Sequence, residues 1–146
     1  MDNNNIWKKT INLAILNATS KNTLMEHLNI IYTDLTDDSI SATMPVCSLT
    51  HQPLGMLHGG ASVVLAETLG SIAGNFAVDD DHYCVGLDIN ANHLRAMRQG
   101  QVIGSARPIH LGVTTQVWHI DIKDPQGRLV CVSRLTLAVK QKRHAK

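Results

Sequence analysis

The residues with the clearest chemical potential lie in one apolar stretch near the middle of the chain. Residues 58–78 read HGGASVVLAETLGSIAGNFAV, and Glu67 is the only Asp, Glu, Lys or Arg among them. A buried carboxylate is costly unless it acquires partners or changes its protonation. Two interpretations of Glu67 therefore stand side by side. It is either a structural carboxylate paired with an Arg or hydrogen-bonded to a loop, or a catalytic carboxylate that faces a cleft.

Other polar groups near Glu67 favour the catalytic interpretation. Ser71 follows it by one helical turn on the same face. The HGG sequence at residues 58–60 begins the stretch, where a helix exposes free N–H groups and the positive end of its dipole. Such an end can stabilise a developing oxyanion. The preceding loop delivers Gln52 to the same place.

A helix is the predicted structure of residues 58–78. The run is rich in Ala and Leu and too long for a single strand, and the glycines at its start give the chain freedom to turn. Small residues recur at steps of four, which lets other backbone approach closely: Ser62, Ala66, Gly70 and Gly74. Because the flanks are apolar, we expect protein to surround this helix on nearly all sides.

The remaining elements of the chain must cover this helix. Residues 6–17 and 23–28 are predicted as short helical segments, and residues 47–57 as a loop. In the strand at 83–95, Val85, Leu87 and Ile89 are expected on one face. Strands are predicted at 30–36, 39–46, 83–95, 101–108, 114–123 and 128–139. The order predicts an α+β fold in which an antiparallel β-sheet wraps around a long central helix.

The chain is expected to form a single domain over residues 1–146, with flexible ends at 1–5 and 140–146. Its 13 basic and 12 acidic residues leave a net charge of +1, so bulk nucleic-acid binding is not indicated. The basic tail KQKRHAK is interpreted as a solvated end, with phosphate contact as the alternative.

A membrane span, a metal site and disulfide bonds are not expected either. Glu67 interrupts the apolar run, and a charged residue at the bilayer centre costs about 2.5–3.5 kcal/mol. The opening MDNNNIWKK lacks the apolar core of a signal peptide. The three cysteines are distant and contain no C-x-x-C pair, which favours a reduced, cytoplasmic protein. The eight histidines show no metal-ligand spacing, so neither a metal nor another cofactor is expected.

Three sequence runs resemble a known family. QPLGMLHGGASVVLAETLGSIAG, VGLDINANHLR and PIHLG occur in this order and are similar to the hotdog-fold acyl-CoA thioesterases of the PaaI type. The branches acting on 1,4-dihydroxy-2-naphthoyl-CoA and in enterobactin-pathway proofreading are the most similar. The likeness runs from Ile6 to about Val139. It implies a hotdog fold and hydrolysis of an aryl-CoA or related thioester, with menaquinone biosynthesis as one candidate context.

The resemblance also implies roles for individual residues. Glu67 would attack the thioester carbonyl or activate a water, while Gln52 and the Gly59 N–H would polarise its oxygen. His58 would shape the same corner, and Ser71 would hold Gln52 or the reacting water. Glu67 of one subunit would face the Gln52 and Gly59 region of its partner. A homodimer would therefore form the active site, and two dimers would assemble into a tetramer.

The chemistry agrees with these residue types. Thioester hydrolysis needs a nucleophile or base and donors for the oxyanion, but no strong acid, because a thiolate leaves easily. Only 3% of the residues are aromatic, so an acyl pocket would be mainly aliphatic and would suit an aromatic ring or a medium alkyl chain equally. Its expected lining includes Leu54, Met56, Val63 and Val64.

Coenzyme A contacts are implied at two places. His93 and Arg95 lie two residues apart, so they share one face if the strand continues that far, and both can donate to phosphates. The alternative is a solvated strand end. Arg98 and Arg107 are either substitutes for a phosphate contact or plain surface charges. The second place is a loop formed by His110, Leu111, Gly112, Val113, Thr114 and Thr115.

Two other functions on the same fold remain as alternatives. Hotdog dehydratases remove water from 3-hydroxyacyl thioesters with a His and a carboxylate, but they place this pair on a different motif from His58 and Glu67. A non-catalytic acyl-CoA sensor would keep the pocket without a competent carboxylate. Thiol release, enoyl formation and binding alone distinguish the three.

Overall fold

The computed structural model describes residues 4–143. Over these residues the chain forms three helices and six strands. The helices are α1 (Leu13–Thr19), α2 (Leu24–His27) and α3 (Gly59–Phe76). The strands are β1 (Ile31–Leu35), β2 (Ile40–Pro45), β3 (His82–His93), β4 (Gln101–Leu111), β5 (Thr115–Lys123) and β6 (Leu129–Gln141).

All six strands form one sheet in the order β1-β2-β4-β5-β6-β3, and every neighbouring pair is antiparallel. The long helix α3 packs against β2 through β6. The predicted α+β fold is confirmed. β6 continues to Gln141, so the first two residues of the predicted flexible end at 140–146 belong to the sheet. Residues 1–3 and 144–146 lie outside the described part of the chain.

The stripe of small residues on α3 lies against the sheet, as the sequence predicts. Ser62, Ala66, Gly70 and Gly74 are all buried. A Cβ carbon on Gly70 would lie 2.5 Å from Leu135 Cδ2, so the Leu135 side chain of β6 packs directly onto the helix backbone at this glycine.

The expectation that protein surrounds α3 on nearly all sides is wrong for a single chain. The flank opposite the small residues is only half-buried and contains Val63, Val64, Glu67, Thr68 and Ser71. The sheet covers one side of the helix, and no other element among residues 4–143 fully covers the flank that carries the carboxylate.

Strand β3 lies at one edge of the sheet and departs from the predicted alternation. Its register with β6 shifts between Gly86 and Asp88, which marks a bulge. Cys84 is buried, whereas Leu87 is 64% exposed. Beyond the bulge Ile89 packs against the core. The placement of Val85, Leu87 and Ile89 on one face is therefore wrong, because the extra residue reverses which side faces inward.

The first predicted helix is also wrong over residues 6–12. Helix α1 begins only after Asn12, whose side chain accepts a hydrogen bond from the Ile15 N–H at 2.8 Å. The preceding backbone bonds to distant parts of the fold instead, with Ile6 N donating to Asp37 O and Lys8 N to Phe76 O, each at 2.9 Å. These long-range bonds hold the segment extended across the domain.

Candidate active site

The N-terminus of α3 carries a histidine cap. His58 Nδ1 accepts a hydrogen bond from the Gly60 N–H at 2.8 Å, and the His58 N–H donates to Thr50 O at 2.8 Å. Because Nδ1 accepts, the proton of a neutral imidazole lies on Nε2. Gly59 is the first residue of the helix, where the backbone N–H has no intrahelical acceptor. The cap leaves this N–H free to meet an oxyanion.

Gln52 is held in the preceding loop so that one end of its amide remains available. Its backbone N–H donates to Met56 O at 2.8 Å, and its side-chain Oε1 accepts from the Leu54 N–H. Gly55, with a φ of +75°, forms the turn between these residues. With the amide oxygen occupied, the Nε2 hydrogens are left as donors.

A cavity of about 380 Å³ brings four predicted site residues together: Gln52, Gly59, His93 and Arg95 all line it. A Cβ carbon on Gly59 would lie 2.8 Å from His93 Nε2, so the imidazole lies directly against the helix start. Sequence reasoning placed His93 with the nucleotide contacts alone. No local signal revealed that it lies beside Gly59, because 34 residues separate them in the chain.

Arg95 reaches this cavity for a different reason from the predicted one. β3 ends at His93, so the two residues do not share a strand face. Instead the Leu94 and Arg95 N–H groups both donate to Val130 O, at 2.8 and 3.3 Å, and this bond pair holds the exposed Arg95 at the rim.

Glu67 lies in a second cavity of about 340 Å³, lined by Met25, Tyr32, Glu67, Thr68, Ser71, Ile72 and Asn75. The Ser71 hydroxyl donates to Glu67 Oε1 at 3.3 Å. Within residues 4–143 no cation lies within ion-pairing distance of Glu67. The Arg pairing of the structural interpretation is therefore not formed within this chain. The expected contact of Ser71 with Gln52 is not formed within one chain, because they line different cavities.

The two cavities share no residue and lie apart along α3. Eight residues separate Gly59 from Glu67, which is roughly 12 Å at 1.5 Å per residue. A carboxylate and an oxyanion donor acting on the same carbonyl must both lie about 3 Å from it. One chain therefore presents two separate halves of the predicted site.

The other predicted coenzyme A segment lies at the opposite end of α3. His110 and Leu111 belong to β4 and Thr115 begins β5, so only residues 112–114 form the predicted loop. The Gly112 N–H donates to Thr115 O at 2.9 Å, and Val113 at the tip is 89% exposed. This turn lines a cavity with Lys8, Ala77, Val78 and Val139, among others, far from Gly59.

The expected aliphatic acyl pocket is not assembled in one chain. Met56 lines the cavity of Gln52, whereas Leu54 is 73% exposed. Val63 and Val64 lie on the half-buried flank of α3 and line neither cavity. Arg98 donates to Leu54 O at 3.3 Å, and Arg107 pairs with Asp38 at 2.9 Å; neither lines the cavity of Arg95.

Other side chains are poorly suited to covalent or metal chemistry. Burial raises the pKa of the Cys84 and Cys131 thiols, which disfavours the nucleophilic thiolate. Among residues 4–143 no group of three or more His, Cys, Asp or Glu side chains is arranged to hold a metal ion. The same residues contain no helix long and apolar enough to cross a membrane.

Comparison with known proteins agrees with this geometry. The sequence profile of the Thioesterase superfamily matches residues 54–131. A proofreading thioesterase EntH from Cronobacter sakazakii is 55% identical, over 92% of this chain and 98% of the relative. The 1,4-dihydroxy-2-naphthoyl-CoA hydrolase of Escherichia coli K12 is 52% identical over the same shares. The crystal structure of a Haemophilus influenzae thioesterase superimposes with a TM-score of 0.92 at 50% identity, covering 96% of this chain and 99% of that one.

A long helix on an antiparallel sheet, with a carboxylate on its open flank and donors at its N-terminus, defines a hotdog-fold thioesterase. The chain belongs to the Thioesterase superfamily, and it is an enzyme of that class.

Proposed function

We propose that this enzyme hydrolyses acyl-CoA thioesters with an aryl or related acyl group, and that Glu67 supplies the nucleophile or general base. The observation that carries the proposal is the Glu67 carboxylate, which faces a half-open cavity with Ser71 as its only hydrogen-bond partner among residues 4–143. A carboxylate without a compensating cation is available for reaction at the carbonyl carbon or for proton abstraction from water.

Gln52 and Gly59 complete the chemistry in this proposal. Gln52 and Gly59 line one cavity, and the Gln52 Nε2 and the Gly59 N–H are the donors left after the bonds within the loop and the helix cap. Two such donors stabilise the negative charge that develops on the thioester oxygen. His58 caps the same helix end and keeps the Gly59 N–H free. His93 lies beside it as a further polar group.

A homodimer joins the two halves. β3 is an edge strand of 12 residues, and Val85 and Leu87 on it are 40% and 64% exposed. A long edge with exposed apolar side chains is a template for pairing with a second copy. In an antiparallel β3–β3 pair, the His93 end of one strand lies near the His82 end of the other.

The same pairing brings the reacting groups together. His93 lies against Gly59, whereas Gly86 lies against Glu67. An antiparallel two-fold arrangement of β3 would therefore set the donor cavity of one subunit beside the carboxylate cavity of its partner. In this proposal two such dimers assemble into a tetramer.

Coenzyme A would be held at the rim of the joined site. The exposed guanidinium of Arg95 suits the phosphates, with His93 nearby. The turn with Gly112, Val113 and Thr114 at the far end of α3 would contribute from another subunit. We place the enzyme in a reduced, cytoplasmic compartment, because its three cysteines are free. The name of the Escherichia coli relative, 1,4-dihydroxy-2-naphthoyl-CoA hydrolase, supports an aryl acyl group. One candidate substrate is therefore 1,4-dihydroxy-2-naphthoyl-CoA, with menaquinone biosynthesis as the proposed context.

The test is thiol release from benzoyl-CoA, 1,4-dihydroxy-2-naphthoyl-CoA and hexanoyl-CoA, with wild type beside Glu67→Ala. We expect rapid cleavage of the aryl esters and a loss of activity by orders of magnitude in the variant, with its fold and assembly state unchanged. Glu26→Ala is the matched control, because among residues 4–143 the side chain of this exposed glutamate accepts only a local bond, from the Asn22 N–H.

Three results would contradict the proposal. Binding without thiol release would favour a sensor, and enoyl formation from 3-hydroxyacyl esters would favour a dehydratase. A Glu67→Gln protein that melts much lower and fails to assemble would show the carboxylate to be structural.

A further inference from the structure

The cavity of Glu67 contains a buried tyrosine that sequence reasoning did not single out. Tyr32 is 2% exposed, whereas its strand neighbour Ile31 is 51% exposed. Tyr32 lines the same cavity as Glu67, Ser71 and Ile72. β1 thus points the phenol inward, towards the cavity that holds the proposed reacting carboxylate.

The Tyr32 hydroxyl is buried, and within residues 4–143 it has no hydrogen-bond partner. Folded proteins rarely leave a buried hydroxyl unpaired, because its lost hydration is then uncompensated. Two polar neighbours in the cavity, Asn75 and Ser71, already have hydrogen-bond partners. Asn75 bonds through both ends of its amide to Ser71 O and the Cys84 backbone, and the Ser71 hydroxyl donates to Glu67.

The tyrosine is held in a fixed position. Asn17 Oδ1 accepts from the Tyr32 N–H at 2.9 Å, and Asn17 Nδ2 donates to Tyr32 O at 3.0 Å. Burial raises the pKa of Tyr32 to about 12, so the hydroxyl is a neutral donor at physiological pH. Met25 lines the same cavity, and its unbranched thioether can move aside to admit a ligand to the hydroxyl.

We propose that the Tyr32 hydroxyl is a specificity determinant that hydrogen-bonds to a phenolic oxygen on the acyl group of a hydroxyaryl thioester. The inference rests on the proposed function, since Glu67 is taken to mark the position of the thioester carbonyl. An aryl ring attached there would lie between Ile72 and Met25, which are apolar, and would bring a ring hydroxyl to Tyr32. An acyl group without this oxygen would leave the tyrosine unpaired, so the site discriminates by the presence of a hydroxyl.

The test compares wild type with Tyr32→Phe on benzoyl-CoA and on 2-, 3- and 4-hydroxybenzoyl-CoA. We expect the variant to lose about tenfold or more in kcat/KM for at least one hydroxylated ester, and to change by less than about twofold for benzoyl-CoA. Ser20→Ala is the matched control, because Ser20 carries the other buried hydroxyl without a hydrogen-bond partner among residues 4–143 and does not line this cavity.

A binding measurement separates this inference from the proposed function. Calorimetry with the non-hydrolysable thioethers phenacyl-CoA and hydroxyphenacyl-CoA reports recognition without turnover. Suppose that wild type releases no thiol but binds the hydroxylated analogue more tightly than the plain one, and that Tyr32→Phe loses this difference. The proposed hydrolysis is then contradicted, whereas recognition of the hydroxyl by Tyr32 is supported. If wild type hydrolyses all the esters and Tyr32→Phe changes the hydroxylated and plain compounds equally, the inference is overturned and the thioesterase stands.

Discussion

Glu67 and Gly86 are in direct apposition: a Cβ carbon on Gly86 would lie 2.7 Å from Glu67 Oε1. The missing side chain on β3 makes room for the carboxylate at the bulge between Gly86 and Asp88. The position of the proposed reacting group therefore depends on a residue 19 positions further along the chain.

We expect Gly86→Ala to displace the Glu67 carboxylate while leaving the fold intact, because the clash is with the mobile end of a side chain. Since a shift of about 1 Å in a reacting group can cost about 100-fold in rate, kcat should fall about 10- to 100-fold. Steady-state kinetics and a melting curve check this expectation.

A double variant provides the control. If Gly86 acts through Glu67, adding Gly86→Ala to Glu67→Ala should cause no further loss of kcat. A full additional loss in the double variant would show that Gly86 acts on something else.

Subunit mixing tests whether the site is shared between chains. Glu67→Ala and Gln52→Ala homodimers should each be inactive. Refolding them together should restore about a quarter of wild-type activity, since half of randomly paired dimers are mixed and each of these has one complete site. Activity that stays absent after verified exchange would place Glu67 and Gln52 in the same chain's site.

Arg95→Ala should raise KM for CoA thioesters more than for short synthetic thioesters, because only the former carry the phosphates that Arg95 is proposed to contact. Arg107→Ala removes the same charge from an exposed position on β4 that pairs with Asp38, and should leave both KM values unchanged. If Arg95→Ala raises KM equally for both substrate types, Arg95 does not contact the phosphates of coenzyme A.

Tyr32 should contribute to the pH dependence of stability. Burial raises its pKa from 10.0 to about 12 in the folded protein, so the folded state holds the phenolic proton more tightly than the unfolded state does. The associated stabilisation is complete below pH 10 and is lost as the pH rises towards 12.

Urea unfolding measures this effect. Between about pH 9 and pH 11, wild type should lose roughly 1–1.5 kcal/mol more unfolding free energy than Tyr32→Phe. If wild type and Tyr32→Phe lose the same unfolding free energy over this pH range, the pKa of Tyr32 is the same in the folded and unfolded protein.

The sequence by itself determined the fold class and the elements that present the site. The apolar run with one carboxylate and a small-residue stripe predicted α3, because composition and a four-residue repeat are local properties. The alternating segments predicted all six strands, with boundaries within a few residues. The family likeness singled out Glu67, Gln52 and Gly59, and the chain's membership of the Thioesterase superfamily agrees with that likeness.

Only the tertiary structure decided how these parts meet. It placed His93 against Gly59, Gly86 against Glu67 and Tyr32 in the carboxylate's cavity. It also introduced the β3 bulge and held residues 6–12 extended. Each of these features joins residues far apart in the chain, so no local periodicity encodes them. They depend on how the sheet curves around one helix and on which backbone groups find distant partners.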